Sequence, residues 1–176
     1  MKRLLLLIVL LVSVSVCACA QMTDIPALNP AAMQAESEAQ LLDLYCGPTQ
    51  GFHRQPEQTL DTGKPYVFFG QYDCWAMVAQ GDESSFGPVG WVEAGSLPIL
   101  PDEPLLGFDD SFSAMIEDGT LITDNPLADD PYASWNVGLM EGNQVIVLAR
   151  YENWLYIQAE IGDTPVRAFV PAACIY

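Results

Sequence analysis

Two ten-residue stretches, QYDCWAMVAQ at 71–80 and RYENWLYIQA at 150–159, follow one pattern and decide the fold. A tyrosine, an acidic residue and a tryptophan recur in both at an offset of 79, and Cys74 in the first stretch falls on Asn153 in the second. A cysteine beside an acidic residue can mark a catalytic nucleophile, whereas an asparagine at the same position cannot act as one. The second copy therefore favours a structural role for this position.

The similarity extends on both sides of the two stretches. Before them, residues 60–70 match residues 139–149 at the same offset, and after a small gap residues 87–97 match residues 164–175. Chance is a poor explanation for three blocks in the same order, so the chain contains an internal repeat.

Cys74 is predicted to be a turn residue and not a nucleophile. Cys and Asn, each after an acidic residue and before Trp, are typical of a tight hairpin turn that leads into a strand. A nucleophilic cysteine needs a base within hydrogen-bond reach. The only histidine, His53, precedes Cys74, and its spacing from Cys46 fits no cysteine peptidase pattern. We therefore expect the protein not to be an enzyme.

The sequence of each copy predicts about five short strands that are separated by turn-forming residues, and it shows no helical periodicity. The sequence thus predicts an all-β fold of two tandem small barrels. Trp75 and Trp154 are the expected main core aromatics. The clearest strands are predicted at 66–69, 75–79 and 90–93 in the first copy, and at 144–148, 154–159 and 167–170 in the second.

Three segments of the first copy together resemble bacterial SH3 domains: LDLYCGPTQGFHR (42–54), VFFGQYDCWAMV (67–78) and GWVEAGSL (90–97). In that family an arm with a Ser-Gly-Pro-like turn precedes a hydrophobic strand, a Gly-Asp-Trp-like turn and a closing strand. The resemblance covers 41–98 well and 111–176 moderately, since the second arm has Thr-Asp-Asn-Pro and an acidic insertion. It implies SH3-like domains at 41–98 and 111–176, joined by a linker at 99–110.

The N-terminus, MKRLLLLIVLLVSVSVCACA, predicts a cleaved signal peptide at 1–20. Ala18-Cys19-Ala20 fits the small-residue rule for cleavage after Ala20. Val16 to Cys19 also resembles the lipobox of bacterial lipoproteins, which would lipidate Cys19 and tether the protein to a membrane. Both alternatives give an extracytoplasmic protein, secreted or held at the cell surface. Residues 21–40 lack a core pattern and are expected to form a flexible tether, with a turn of helix from Ala31.

The composition is strongly acidic. The formal charge of −17 becomes −19 once Lys2 and Arg3 are removed with the leader. Such a surface repels phosphate backbones and anionic lipids, which excludes nucleic acid as a partner and favours either cationic partners or simple solubility. Because 51% of the residues are hydrophobic, the chain is expected to fold. The acidic residues lack calcium-loop spacing, so we expect a solvated acidic face, with no metal and no cofactor.

The resemblance implies a non-catalytic binding module whose partner is a peptide, cell-wall peptidoglycan or an extracytoplasmic protein. The alternative is a structural or protein-interaction protein with no small ligand, in which the two barrels pack together. Burial of the aromatic residues between the domains would favour the alternative, and their exposure on one face would favour a binding groove. The residues predicted to line such a groove are Tyr45, Phe52 and Trp91 in the first copy, and Trp135 and Tyr151 in the second.

The mature chain keeps three cysteines: Cys46, Cys74 and Cys174. Because the arm and the turn belong to one barrel and the compartment permits oxidation, we expect a Cys46–Cys74 disulfide. It would contribute roughly 3–4 kcal/mol if unstrained. Cys174 aligns with Ser96 and is expected to be a small residue of the closing strand.

Overall fold

A computed structural model of the chain describes residues 25–34, 39–49, 51–52, 54–101, 108, 111–131 and 144–176. Regular structure in these residues consists of ten strands and two single turns of 3₁₀ helix, at Ala94–Ser96 and Ala172–Cys174. No helix among them is long and apolar enough to cross a membrane. The strands are β1 (Ala31–Met33), β2 (Leu41–Tyr45), β3 (Arg54–Asp61), β4 (Tyr66–Tyr72), β5 (Trp75–Asp82), β6 (Ser85–Glu93), β7 (Phe112–Met115), β8 (Gln144–Tyr151), β9 (Trp154–Ile161) and β10 (Thr164–Pro171).

The ten strands form two antiparallel sheets, which confirms the all-β prediction. The first sheet has the order β1-β4-β5-β6-β2-β3, and the second has the order β10-β9-β8-β7. Consecutive strands pair through short hairpins, as in β4–β5–β6 and β8–β9–β10. Apart from β1, the first sheet is drawn from the first copy, and the second sheet is drawn from the second.

The internal repeat is present in the structure element by element. The series β4, β5, β6 and 3₁₀ turn recurs as β8, β9, β10 and 3₁₀ turn. The first hairpin turn of each series places an acidic residue in the left-handed region, Asp73 at a φ of 54° and Glu152 at a φ of 51°. Cys74 lies in the first of these turns, where its carbonyl accepts a hydrogen bond of 2.8 Å from the backbone N–H of Ala94. The predicted turn is confirmed.

Both faces of the central strands are buried, which explains why they are apolar without a break. Tyr66 to Phe69 in β4 have at most 1% exposure each. Alternate side chains of a strand point to opposite faces, so Val67 and Phe69 lie in one core cluster and Tyr66 and Phe68 in another. Continuous apolar runs are expected where a sheet is covered on both sides.

One of the three core clusters lies between the two sheets, and we call it the intersheet cluster. It contains equivalent residues of the two copies, since Trp91 pairs with Met77 in the first sheet as Phe169 pairs with Tyr156 in the second. The two copies therefore share a hydrophobic core. Its buried members are Leu28, Val67, Phe69, Trp75, Met77, Ala79, Phe86, Val89, Trp91, Phe108, Leu148, Ala149, Tyr151, Tyr156 and Phe169.

The segment before the first copy differs from the flexible tether with a helical turn that was expected over 21–40. Residues Ala31–Met33 form strand β1, which pairs with the outer edge of β4. Just before it, the N–H of Leu28 donates to the Arg150 carbonyl at 2.7 Å, and the N–H of Arg150 donates to the Pro26 carbonyl at 2.9 Å. The pairing of β1 with β4 satisfies backbone groups that the edge of β4 would otherwise expose. The predicted signal peptide lies outside the described residues, as does most of the linker.

Candidate functional site

Two of the predicted groove residues, Trp91 and Tyr151, lie in the intersheet cluster. Trp91 is 1% exposed and Tyr151 is 7% exposed. The indole N–H of Trp91 donates a buried hydrogen bond of 2.7 Å to the hydroxyl of Tyr156, which belongs to the other sheet. Neither side chain is placed to line an open groove, and the Trp91 hydrogen bond joins the two copies.

Tyr151 packs against aromatic rings of the first sheet. Its ring centroid lies 5.7 Å from that of Phe86 and 6.3 Å from that of Phe69, both in edge-on geometry. Burial raises the pKa of the Tyr151 hydroxyl, and the nearby Glu152 carboxylate acts in the same direction. The environment of Tyr151 is therefore that of a residue holding two sheets together. Trp135, the other predicted residue of the second copy, lies outside the described residues.

Phe52 is half-buried and forms one wall of an aromatic cage around Arg167, which the sequence analysis did not identify. The guanidinium carbon of Arg167 lies between 5.0 and 5.7 Å from the centroids of four rings. Each such contact is a cation–π interaction. Arg167 lies on β10 of the second copy, whereas the rings come from the first copy and from the segment that follows it. The four rings are those of Phe52, Tyr72, Trp91 and Phe108.

Arg167 is a largely buried charge, 9% exposed. Its Nε donates to the side-chain oxygen of Gln158 at 3.0 Å, and its Nη1 has no hydrogen-bond partner among the described residues. Burial lowers the pKa of Arg167, while the nearby Tyr156 and Tyr72 act to raise it. An arginine remains charged even so, because its pKa starts above 12. Cation–π contacts with the four rings therefore contribute to the stabilisation of this buried cation.

The loop that carries Phe52 belongs to the first copy and contacts the second copy. A Cβ added at Gly47 would collide with the Phe52 ring, so the loop needs glycine there for the ring to fold back. The carbonyl of Cys46 accepts a hydrogen bond of 2.8 Å from the backbone N–H of Arg167. Cys46 itself is buried in the core cluster of the second copy. The arm of the first copy thus contributes to the core of the second.

The expected Cys46–Cys74 disulfide is not formed in the structure, where Cys46, Cys74 and Cys174 are all free thiols. The Cys46 side chain packs into the second copy's core, whereas Cys74 is exposed in its hairpin turn. Burial raises the pKa of the Cys46 thiol to about 12, and Asp124 adds to the shift. A thiol with so high a pKa is a poor nucleophile. His53, the base considered from the sequence, lies outside the described residues.

Tyr45 is the predicted groove residue that borders an open pocket, which we call the Tyr45 pocket. The pocket has a volume of 170 Å³ and lies on the first sheet, where β2, β5 and β6 run side by side. The rings of Tyr45 and Trp75 are 5.5 Å apart at an interplanar angle of 79°. The pocket is lined by Leu42, Asp43, Tyr45, Trp75, Val92, Glu93 and Ser96.

The acidic residues do not converge on a metal site in the part of the chain that the structure describes. No group of three or more His, Cys, Asp or Glu side chains there could hold a metal ion. Exposed carboxylates are instead held in turns. Asp82, for example, accepts hydrogen bonds from the N–H and the hydroxyl of Ser84 at 2.9 and 2.6 Å, which lower its pKa.

Sequence reasoning missed Arg167 and the cage because nothing local marks them. Arg167 lies in the apolar strand sequence RAFV, where a charged residue looks like an outward-facing position. A signal was present in the rarity of basic residues, since only four of them lie beyond residue 20 of the sequence. A scarce arginine in an apolar strand of an acidic chain is a good candidate for a buried cation.

Comparison of the chain with protein-family models, curated proteins and solved structures found no match.

Proposed function

We propose that the chain is a non-catalytic, extracytoplasmic interaction protein in which two SH3-like copies pack into one unit and present their outer surfaces to another protein. The observation that carries this proposal is the burial of the aromatic residues in the intersheet cluster. Exposure of these rings on one face would have favoured a ligand groove. Trp91 and Tyr151 instead serve the contact between the copies.

The acidic surface supports a protein partner with a cationic face. A formal charge of −17 attracts such a partner over several ångströms and increases the rate of encounter. Peptidoglycan also carries carboxylates, so a broadly acidic protein gains no general attraction from it. The leader sequence supports export, with the lipidated form at Cys19 as the alternative to secretion. The mass of the mature protein distinguishes these two forms.

A second candidate function, binding of a peptide or of cell-wall peptidoglycan, is supported by the Tyr45 pocket. Tyr45 was one of the residues predicted for this role, and it borders a pocket that is open to solvent. The two functions differ in whether the protein is retained on cell-wall peptidoglycan and in whether Tyr45 is needed for that retention.

Pull-down on purified peptidoglycan sacculi, at low and at moderate salt, separates the two candidates. The protein is produced from the full-length reading frame. The proposed interaction function predicts no salt-resistant retention. Retention that resists salt, disappears with Tyr45→Ala and persists with Tyr176→Ala would overturn it in favour of wall binding. Tyr176 is a matched control because it is also a tyrosine and is 64% exposed.

Photo-crosslinking in the cell that makes the protein supplies the positive test. Benzoylphenylalanine replaces Leu41, which is 72% exposed on β2 beside the Tyr45 pocket, or replaces Tyr176 as the control. We expect one discrete protein adduct from position 41 and none from position 176. The absence of a protein adduct from position 41, combined with wall retention, would contradict the proposed function.

A further inference from the structure

The accessible aromatic wall of the Tyr45 pocket is the half-buried ring of Tyr45. The ring of Trp75 stands nearly perpendicular to it, at 79° with the centroids 5.5 Å apart, but is only 6% exposed and supports the Tyr45 ring from the core. An accessible aromatic ring attracts ammonium and guanidinium groups through cation–π interaction.

Carboxylates border the same pocket. Glu93 on β6 lies directly opposite Trp75 on β5 in the antiparallel ladder, so the two side chains project from the same face of the sheet. Asp43 on β2 lines the pocket from the other side. A cation held at the Tyr45 ring would thus have a carboxylate oxygen within reach of its N–H groups, and such charge-assisted hydrogen bonds are the stronger class.

The size of the pocket limits what can enter it. Its volume is 170 Å³, whereas pockets for drug-sized ligands usually exceed about 300 Å³. A disaccharide or a nucleotide is too large for this space. A single unbranched side chain is a better match, with its methylene groups along the partly buried Leu42 and its charge at the carboxylates.

We propose that the Tyr45 pocket binds one lysine or arginine side chain of the partner protein. This inference rests on the proposed function and assigns the chemistry of the contact. The apolar lining contacts the side-chain stem, the Tyr45 ring contacts the cationic group, and Glu93 accepts its hydrogen bonds. A neutral side chain of equal length lacks the last two interactions.

The test is an NMR titration of the protein, produced from the full-length reading frame, with three capped tripeptides. They carry Lys, Arg or norleucine between two glycines, and the indole N–H signal of Trp75 is assigned by loss in Trp75→Phe. We expect a saturable shift of this signal with the Lys and Arg peptides and none with norleucine. Glu93→Gln should weaken the affinity of the protein for the Lys peptide by roughly two- to fivefold, as expected for an exposed ion pair.

Glu160→Gln is the matched control, because it removes one exposed carboxylate from the other sheet. Equal weakening by Glu160→Gln and Glu93→Gln would show diffuse attraction to an acidic surface and would overturn the proposal. Norleucine binding as strong as Lys, or no shift with any peptide, would overturn it as well. A discrete adduct from position 41 that forms despite these results would leave the proposed function standing and reject only the assignment of the pocket.

Discussion

Arg167 shows how a single residue can join the two copies of a repeat. Its guanidinium is surrounded by four rings from outside its own copy, and its backbone N–H donates to the Cys46 carbonyl. Burial is the main cause of its lowered pKa, and no carboxylate of the described residues is among the groups that shift that pKa. Among the described residues, the guanidinium is therefore surrounded by aromatic faces, and cation–π attraction contributes to its stabilisation.

Substitutions at Arg167 should separate charge from shape. Arg167→Lys keeps the charge but replaces a flat, weakly hydrated group by a compact, strongly hydrated one, so we expect a loss of about 1–3 kcal/mol in the free energy of unfolding. Arg167→Met removes a buried charge and retains an apolar chain, so we expect a change in the free energy of unfolding within about 1 kcal/mol. Urea denaturation measures both. A lysine variant more stable than the methionine variant would contradict this ranking.

The hairpin elements show why part of the fold could be predicted from the sequence. Turns depend on few neighbouring residues, so Asp-Cys-Trp and Glu-Asn-Trp were sufficient to place two of them, and the repeat confirmed each from the other. Residues 89–92 of β6 and 147–149 of β8 are buried on both faces, so the sequence pattern does not say which face meets which neighbour. For this reason Trp91 on β6 and Tyr151 on β8 were predicted as groove residues although they lie between the sheets.

The left-handed residues of the two equivalent turns give a test at the level of the element. Glu152 has a φ of 51°, a conformation that is unfavourable for a residue with a side chain. We expect Glu152→Gly to raise the free energy of unfolding by about 0.5–1 kcal/mol, since the strain outweighs the entropy of glycine. Asp73→Gly should change stability in the same direction. Thermal unfolding of each variant provides the measurement.

The control for these turn variants is Glu160→Gly in β9. Its backbone does not need a positive φ, so glycine there should lower the free energy of unfolding by about 0.5–1 kcal/mol. If all three glycine variants shift stability in the same direction, strain in the turns is not the cause.

At the scale of the whole molecule, the two copies cannot be separated into independent cores. The core cluster of the second copy includes Ile25 and Cys46, which precede or belong to the first copy. The intersheet cluster draws on both sheets. Two domains were predicted because the internal repeat is evident in the sequence. Contacts between the copies leave no local sequence pattern, so they could not be predicted.

We therefore expect the protein to unfold in one cooperative transition. Alkylation of Cys46 reports on this directly, because its thiol is buried and has a pKa of about 12. At pH 8 the exposed Cys74 should react with iodoacetamide in the native protein, whereas Cys46 should react only across the urea transition of the whole chain. Two separate transitions, or labelling of Cys46 before β8–β10 unfold, would show that the copies are independent.

The intersheet cluster makes the molecule a covalent counterpart of a homodimer. Equivalent faces of the two copies meet, as in an isologous interface, where one patch contacts its own duplicate. In a true homodimer every mutation appears twice, so both outer surfaces must remain identical. Fusion of the copies in one chain removes that constraint. The contact between the copies can stay symmetric while one copy acquires the Tyr45 pocket and the other copy diverges from it.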